Sequence, residues 1–550
     1  MEKQPFFSLL ELDIKASEPN ERLGVREDLL SSLDSLHEDI YFAGTDFFKH
    51  LGMSLNTGVL DAPGLILPRI EKQYGKPSLK VRLYDQLAIE PSLTSKERNF
   101  ETKARDSISA FISSLSALEN GWRVDVTVDG IEEGILGSLA DLTDSPLLGF
   151  KSLLPGVQEL VLHGDGEYPL PLDAPLVTGT NKSKDIRDID LSESELIGYE
   201  QYCRIISELE DVPGLAIYPI AKSYLGRSLH AIEFVGAKEG YTSRVKRLTH
   251  LPSLYINARH HANEVSGTNA AFILIKELLT DPQYADLSEK LNLVSVPMEN
   301  PDGAAIHYDL QKVNPYWSFH VARFNAIGKE FYYDHFDSDT IHTEANGLRK
   351  LWYLSLPDIM IDNHGVPTHE WVQQFSGYVY PAFKGFWLPR SLLYGYFWHV
   401  TDDAYASNFA VNKKMEDVIA DSIAEDDEVT KWNLEWMDRF EKYAKQFMPK
   451  MFAANYYRNM VNYWIPFAYD PSHRYPSIRF PWIVSVAYTS EVADETAQGE
   501  YLNLCAKSLV RHNLATIDMM LDSKHIYRIN KEVSKDNQKI SFIRQRPMLV

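Results

Sequence analysis

The chain is 550 residues long, with 55 Lys and Arg against 77 Asp and Glu, a formal net charge of −22. Hydrophobic residues make up 44% and charged residues 24%, ordinary globular usage, so a core can form without disulfides or metal. The acidic balance excludes nucleic acid as the default partner, and two cysteines, Cys203 and Cys505, exclude a disulfide framework and a cysteine zinc cluster.

At about 150 residues per domain, two to four domains are expected. The opening Met1-Glu2-Lys3-Gln4-Pro5 leads into no basic and then apolar leader, and no run of about 18 apolar residues follows. The expectation is a cytoplasmic protein without a membrane span. Residues 1–185 are expected to form an N-terminal α/β domain. In it, 79–84 alternates like a strand, 99–118 repeats apolar residues at helical spacing, and 122–128 alternates again. No catalytic spacing occurs there, so the role of this domain stays open. Residues 169–194 begin with Pro169, Pro171 and Pro175, turn polar, and read as a linker.

Residues 190–525 alternate short apolar runs with helical patterns. Strands are expected at 217–220, 228–234, 253–257, 293–297, 358–361 and 483–488, and helices at 266–279 and 498–520. This predicts an α/β fold, a three-layer α/β/α domain with a largely parallel sheet. Residues 526–550 read as a basic C-terminal tail.

The chemistry concentrates at the ends of three of these strands. After the strand at 253–257 comes His260-His261-Ala262-Asn263-Glu264. An imidazole and a carboxylate three residues apart can meet at one cation. Alone the pair is weak, because about one is expected by chance among 17 histidines. His261 could equally cap the helix, with Glu264 in its acid-favouring first turn. Asp362-Asn363-His364-Gly365 puts another histidine at a strand end, where open α/β sheets place their sites. Two His and one Glu make the protein ligand set of a catalytic zinc with one open position. Glu491 ends a third strand with a carboxylate, the base such a site needs.

Over about 190–515 the chain resembles the zinc carboxypeptidases related to carboxypeptidase A. Ser223-Tyr224-Leu225-Gly226-Arg227 is similar to the family's Ser-x-x-Gly-Arg segment, and His261-Ala262-Asn263-Glu264 to its His-x-x-Glu. Asn300-Pro301-Asp302-Gly303, Ile361-Asp362-Asn363-His364-Gly365 and Thr489-Ser490-Glu491 follow in the family's order. The resemblance implies one Zn2+ per chain on His261, Glu264 and His364. It implies Glu491 as general base and proton shuttle, and His260 as a solvent-facing neighbour. Glu330 falls on an acidic position that orients a zinc histidine.

The family's Asn-Arg pair, which clamps a substrate's terminal carboxylate, is replaced here by Tyr332 and Tyr333. A tyrosine cannot make a bidentate, charge-assisted pair with a carboxylate. Either another cation replaces the clamp, with Arg323, Arg349 and Arg479 as candidates, or the substrate offers an amide, a sugar or an aromatic group. Arg323, with His320 competing for the position, lies near the family's oxyanion-stabilising arginine. Arg227, Tyr332 and Tyr333 are expected to bind substrate. Aromatic residues from Trp371 to Trp398 either wall the cleft or pack a core, and Tyr469 or Tyr475 could be the family's mobile tyrosine. The leading expectation is a zinc-dependent hydrolase, a metallopeptidase of carboxypeptidase type acting on a peptide or a small amide. A deacylase of a small non-peptide amide and a non-catalytic binding module are the alternatives.

Overall fold

The computed structural model describes residues 5–19, 31–55, 63–85, 109–118, 121–129, 157–170, 182–236, 247–248, 250–337, 340–366, 393–439, 442, 455–523, 527–533 and 538–544. Among these, β1 (Leu9–Ala16), β2 (Leu65–Lys72) and β3 (Ser78–Tyr84) form one sheet in the order β2-β1-β3. Helix α1 (Ser32–Ser54) packs on β2. It starts at Ser31, whose hydroxyl accepts from the Asp34 amide at 3.2 Å. A second sheet contains β4 (Ser109–Leu118), β5 (Gly121–Asp129), β6 (Val157–His163) and β7 (Glu167–Leu170), in that order.

The helix expected over 99–118 is corrected by β4, which pairs antiparallel with β5 from Ser109 opposite Asp129 to Leu118 opposite Gly121. The rest of that stretch, 99–108, lies outside the described residues. Serines at 109, 113, 114 and 116 are poor helix formers, and Asn120-Gly121 between two apolar runs is a hairpin signal. Strand pairing therefore outweighs the helical periodicity.

The larger part of the chain is built on one sheet of nine described strands. Across it run β14 (Asn455–Tyr457), β15 (Met460–Phe467), β13 (Leu393–Val400), β16 (Val486–Ala493), β12 (Ile359–Val366), β10 (Ser253–Ala258), β11 (Asn292–Val296), β9 (Ser228–Phe234) and β8 (Leu215–Lys222). The central β16, β12, β10 and β11 are mutually parallel, as is β13 with β15. The joins β8/β9, β9/β11, β13/β16 and β14/β15 are antiparallel, so the sheet is mixed and not largely parallel. The cause is local at β8 and β9. The tight turn carrying Gly226, at φ 85°, is too short for the crossover that a parallel pair needs.

Helices α2 (Tyr199–Leu209), α3 (Ser266–Thr280), α4 (Pro301–Gln311), α5 (Thr343–Ser355), α6 (Ala406–Ala424), α7 (Asp427–Arg439) and α8 (Gly499–Leu521) follow in chain order. Strand alternation assigns them to two faces. Leu254, Ile256, Ile359 and Ile361 join one core with residues of α2, α3, α6 and α8. Tyr255, Val294, Val296 and Met360 join the other, beneath Leu348, Leu351 and Trp352 of α5. The result is the expected three-layer α/β/α architecture.

Ile186, Ile189 and Leu191 already belong to the first of these cores. A third core joins Leu33, Tyr41, Leu65 and Ile66 from the N-terminal residues to Trp317, Phe319 and Val321 beyond α4. Residues 527–533 and 538–544 form an antiparallel hairpin, β17 and β18. No described helix is long and apolar enough to cross a membrane.

Candidate metal centre

The site forms where β10, β12 and β16 reach their carboxyl ends. At Arg259, directly after β10, the backbone takes φ 59°, a left-handed conformation rare outside glycine. The fully buried guanidinium holds this kink by donating from Nε to the Ala262 carbonyl at 2.9 Å and from an Nη to the Ile197 carbonyl at 2.5 Å. His260 and His261 leave the strand there. A turn from the Glu264 amide to the His261 carbonyl brings Glu264 back to its histidine.

His261 Nδ1 lies 2.8 Å from Glu264 Oε1, and His364 Nδ1 lies 2.9 Å from Glu264 Oε2. The two Nδ1 atoms are 3.0 Å apart. All three residues are buried, and their ligand-type atoms lie within 4.8 Å of one another. Each imidazole is oriented from its far side. His261 Nε2 faces Glu330 Oε2 at 2.7 Å, and His364 Nε2 faces Asp362 Oδ2 at 2.9 Å. An ionised carboxylate only accepts, so Glu330 and Asp362 each favour a proton on the Nε2 they face, which leaves Nδ1 of both rings directed at Glu264. Two imidazole nitrogens and a carboxylate converging at about 3 Å could hold a metal ion. The donor set fits a borderline divalent ion such as zinc.

Glu264 also accepts from the Gly365 amide at 2.9 Å and from an Arg323 Nη at 2.7 Å. Burial would push its carboxyl up, but His261, His364 and Arg323 hold it well below the usual carboxylate range. Gly365 is required sterically, since a Cβ there would meet Asp494 Oδ1 at 1.9 Å. Glu491 stands directly opposite His364 in the parallel β12/β16 ladder, so the two side chains project to one face.

Several expectations need correction. His260 is not solvent-facing. It is 2% exposed, with Nδ1 3.0 Å from Glu299 Oε2 and Nε2 2.5 Å from Glu330 Oε1. Burial pushes the Glu299 carboxyl up to about 7, against the pull of His260. Arg227, expected to bind substrate, donates to Asp302 Oδ1 at 2.8 Å, with its side chain 31% exposed. Together with Ser223 and the Leu225 amide it fixes the Asn300–Gly303 turn. His320 does not share the place of Arg323. It sits between Glu38 of α1, at 2.8 Å, and Glu495, at 3.4 Å. Burial would lower the His320 pKa, but those carboxylates raise it to about 10.

Tyr332 and Tyr333 part company. Tyr332 packs against His260, with ring centroids 5.5 Å apart, and against Tyr475 at 5.6 Å. Tyr333 is 60% exposed. Arg474, absent from the sequence expectation, lies over their rings. Its Cζ is 4.1 Å from the Tyr333 centroid, 4.9 Å from Tyr475 and 5.9 Å from Tyr332. Tyr475 stacks on Trp398 at 4.2 Å, whose indole N–H donates to Thr489 on the face of β16 that carries Glu491. Arg349 donates to Asn346, and Arg479 lies over Phe336, so neither joins this cluster. Tyr469 pairs instead with Tyr405 and Trp482. Most of the aromatic segment after His364, residues 367–392, lies outside the described residues.

Residues 202–323 match the family model for zinc carboxypeptidases, a stretch holding His261, Glu264, the Asn300–Gly303 turn and Arg323. No curated protein matches by sequence. Solved structures similar to the chain include a metallo-carboxypeptidase from Burkholderia cenocepacia (14% identity, 60% of this chain and 71% of that one, TM-score 0.36). Another is the Pseudomonas aeruginosa metallo-carboxypeptidase in complex with (2-guanidinoethylmercapto)succinic acid (15%, 60% and 71%, 0.36). A third is carboxypeptidase A from Helicoverpa armigera (13%, 60% and 75%, 0.35). Residues 202–323 thus carry a zinc carboxypeptidase match within an α/β architecture.

Proposed function

We propose that the protein is a zinc-dependent hydrolase that cleaves a peptide or amide bond in the manner of a metallocarboxypeptidase. One observation carries this reading. His261, Glu264 and His364 converge at the carboxyl edge of the sheet, with Glu491 in register beside His364. These three side chains would hold the zinc, which supplies Lewis acidity and lowers the pKa of water toward neutrality. Glu491 takes the proton of the attacking water on its carboxylate and delivers it to the leaving amine. Arg323 has five N–H donors, so its bond to Glu264 leaves others for the developing oxyanion. Glu330 and Asp362 hold the two imidazoles with Nδ1 directed inward.

At the substrate end, Arg474 among Tyr332, Tyr333 and Tyr475 favours a ligand with a free carboxylate. An arginine over aromatic faces is pre-organised for bidentate pairing. A small-amide deacylase would use the same catalytic groups, and rates on peptides with free against amidated C-termini separate the two.

Glu491→Gln is the test. It is expected to keep wild-type zinc content and lose about 10²–10⁴-fold in kcat. Full activity in that variant would overturn the mechanism.

A further inference from the structure

Glu330 serves two histidines, and only one of them belongs to the cluster just described. Its Oε2 faces His261 Nε2 at 2.7 Å, and its Oε1 faces His260 Nε2 at 2.5 Å. Both rings therefore present Nδ1 away from Glu330. His261 Nδ1 points to Glu264, whereas His260 Nδ1 points to Glu299 Oε2 at 3.0 Å. His335 completes this second group. Ligand-type atoms of His260, Glu299 and His335 all lie within 4.8 Å of one another. The three residues are 2%, 0% and 7% exposed.

Two atoms of the group are unexplained as core packing. His335 Nε2 and Glu299 Oε1 are buried without a hydrogen-bond partner. Leaving such atoms unsatisfied is costly, and most buried polar groups are paired. Two imidazoles and a carboxylate are also the donor types that borderline transition metals select. A third grouping, His260, His261 and Glu330, is a poorer candidate. Its two histidines meet Glu330 through Nε2, the ring nitrogens opposite those that face Glu264 and Glu299, so it competes with both of the other groups for the same rings.

We propose that His260, Glu299 and His335 form a second divalent-metal site beside the first. Consecutive histidines would then serve separate ions, with Glu330 as their common support. His260 and Glu299 follow β10 and β11, and His335 follows the 3₁₀ turn Phe331–Asp334, so three elements build the site.

The test is metal stoichiometry of the tag-free full chain, read by elemental analysis after loading with Zn2+ and by the visible absorbance of Co2+ titrations. Wild type is expected to bind two equivalents. His335→Ala and Glu299→Gln are each expected to bind one, with one of the two Co2+ steps missing. His364→Ala is expected to retain one, held at the second site. A wild-type chain that saturates at one equivalent, lost in His364→Ala and kept in a folded His335→Ala, would overturn the proposal. It would point instead to a protonated Glu299 bonded to His260. Two equivalents retained in a folded His335→Ala would overturn it equally. If only the first site were misread, His364→Ala would lose nothing while His335→Ala still lost one.

Discussion

Replacing Glu330 with alanine removes one carboxylate that orients two imidazoles, at 2.5 Å and 2.7 Å. In Glu330→Ala the His261 ring keeps no fixed Nε2 partner, so its proton is free to move to Nδ1, the atom facing Glu264 and His364. Each affected ligand then has to deprotonate before it binds a metal. Loss of an outer carboxylate of this kind costs about 10–100-fold in metal affinity. At about 1.4 kcal/mol per tenfold, this is about 1.4–2.7 kcal/mol, the size of one charge-assisted hydrogen bond. Zinc affinity measured by competition with a chelating dye is the assay. Glu330→Gln, which keeps a single acceptor, is expected to fall between alanine and wild type. Glu330 also accepts from the Tyr332 amide at 3.3 Å, so the melting temperature of the metal-free variant serves as a control for loop loosening. Zinc affinity for Glu330→Ala within threefold of wild type would refute the orientation argument.

Three further outcomes are expected. Arg474→Ala should raise KM for peptides with a free C-terminus by about 10–100-fold, one lost charge-assisted contact, and leave amidated substrates nearly unchanged. Equal effects on both substrates would remove Arg474 from recognition. Arg227→Ala should destabilise the fold by about 3 kcal/mol in denaturant titration, because Asp302 is fully buried, while kcat/KM of the folded enzyme stays near wild type. Intact stability with lost activity would return Arg227 to substrate binding. Burial would lower the pKa of His320, but the carboxylates of Glu38 and Glu495 raise it in the fold to about 10, against about 6.5 unfolded. Its contribution is therefore complete below about pH 6.5 and is lost as pH rises toward 10. The melting temperature of wild type should fall over that window more steeply than that of His320→Asn, and parallel curves would show that His320 is uncharged in the fold.

What the sequence determined was whatever repeats within one element or one motif. The runs at 253–257 and 228–234 reappear as β10 and β9, because a short apolar run is a local signal, continuous in β10, which is buried on both faces, and alternating at the start of β9. His261 and Glu264 were legible because a three-residue spacing closes a turn by itself, and His364 because it ends an apolar run. Asp362 was within reach on the same grounds, lying two residues before His364 on one face of β12. Tertiary structure decided what depends on contacts between distant segments. Arg227 meets Asp302 across 75 positions, and Glu330 meets His260 across 70. Neither partner is marked by any spacing. The burial of His260 follows from the kink at Arg259, a left-handed residue that no local preference announces. Arg474 acquires its place only when Tyr332, Tyr333 and Tyr475 are brought around it. A histidine's role rests on which atom faces which neighbour, and for His260 and His261, adjacent in the chain, the fold gives the two Nδ1 atoms different carboxylate partners, Glu299 and Glu264.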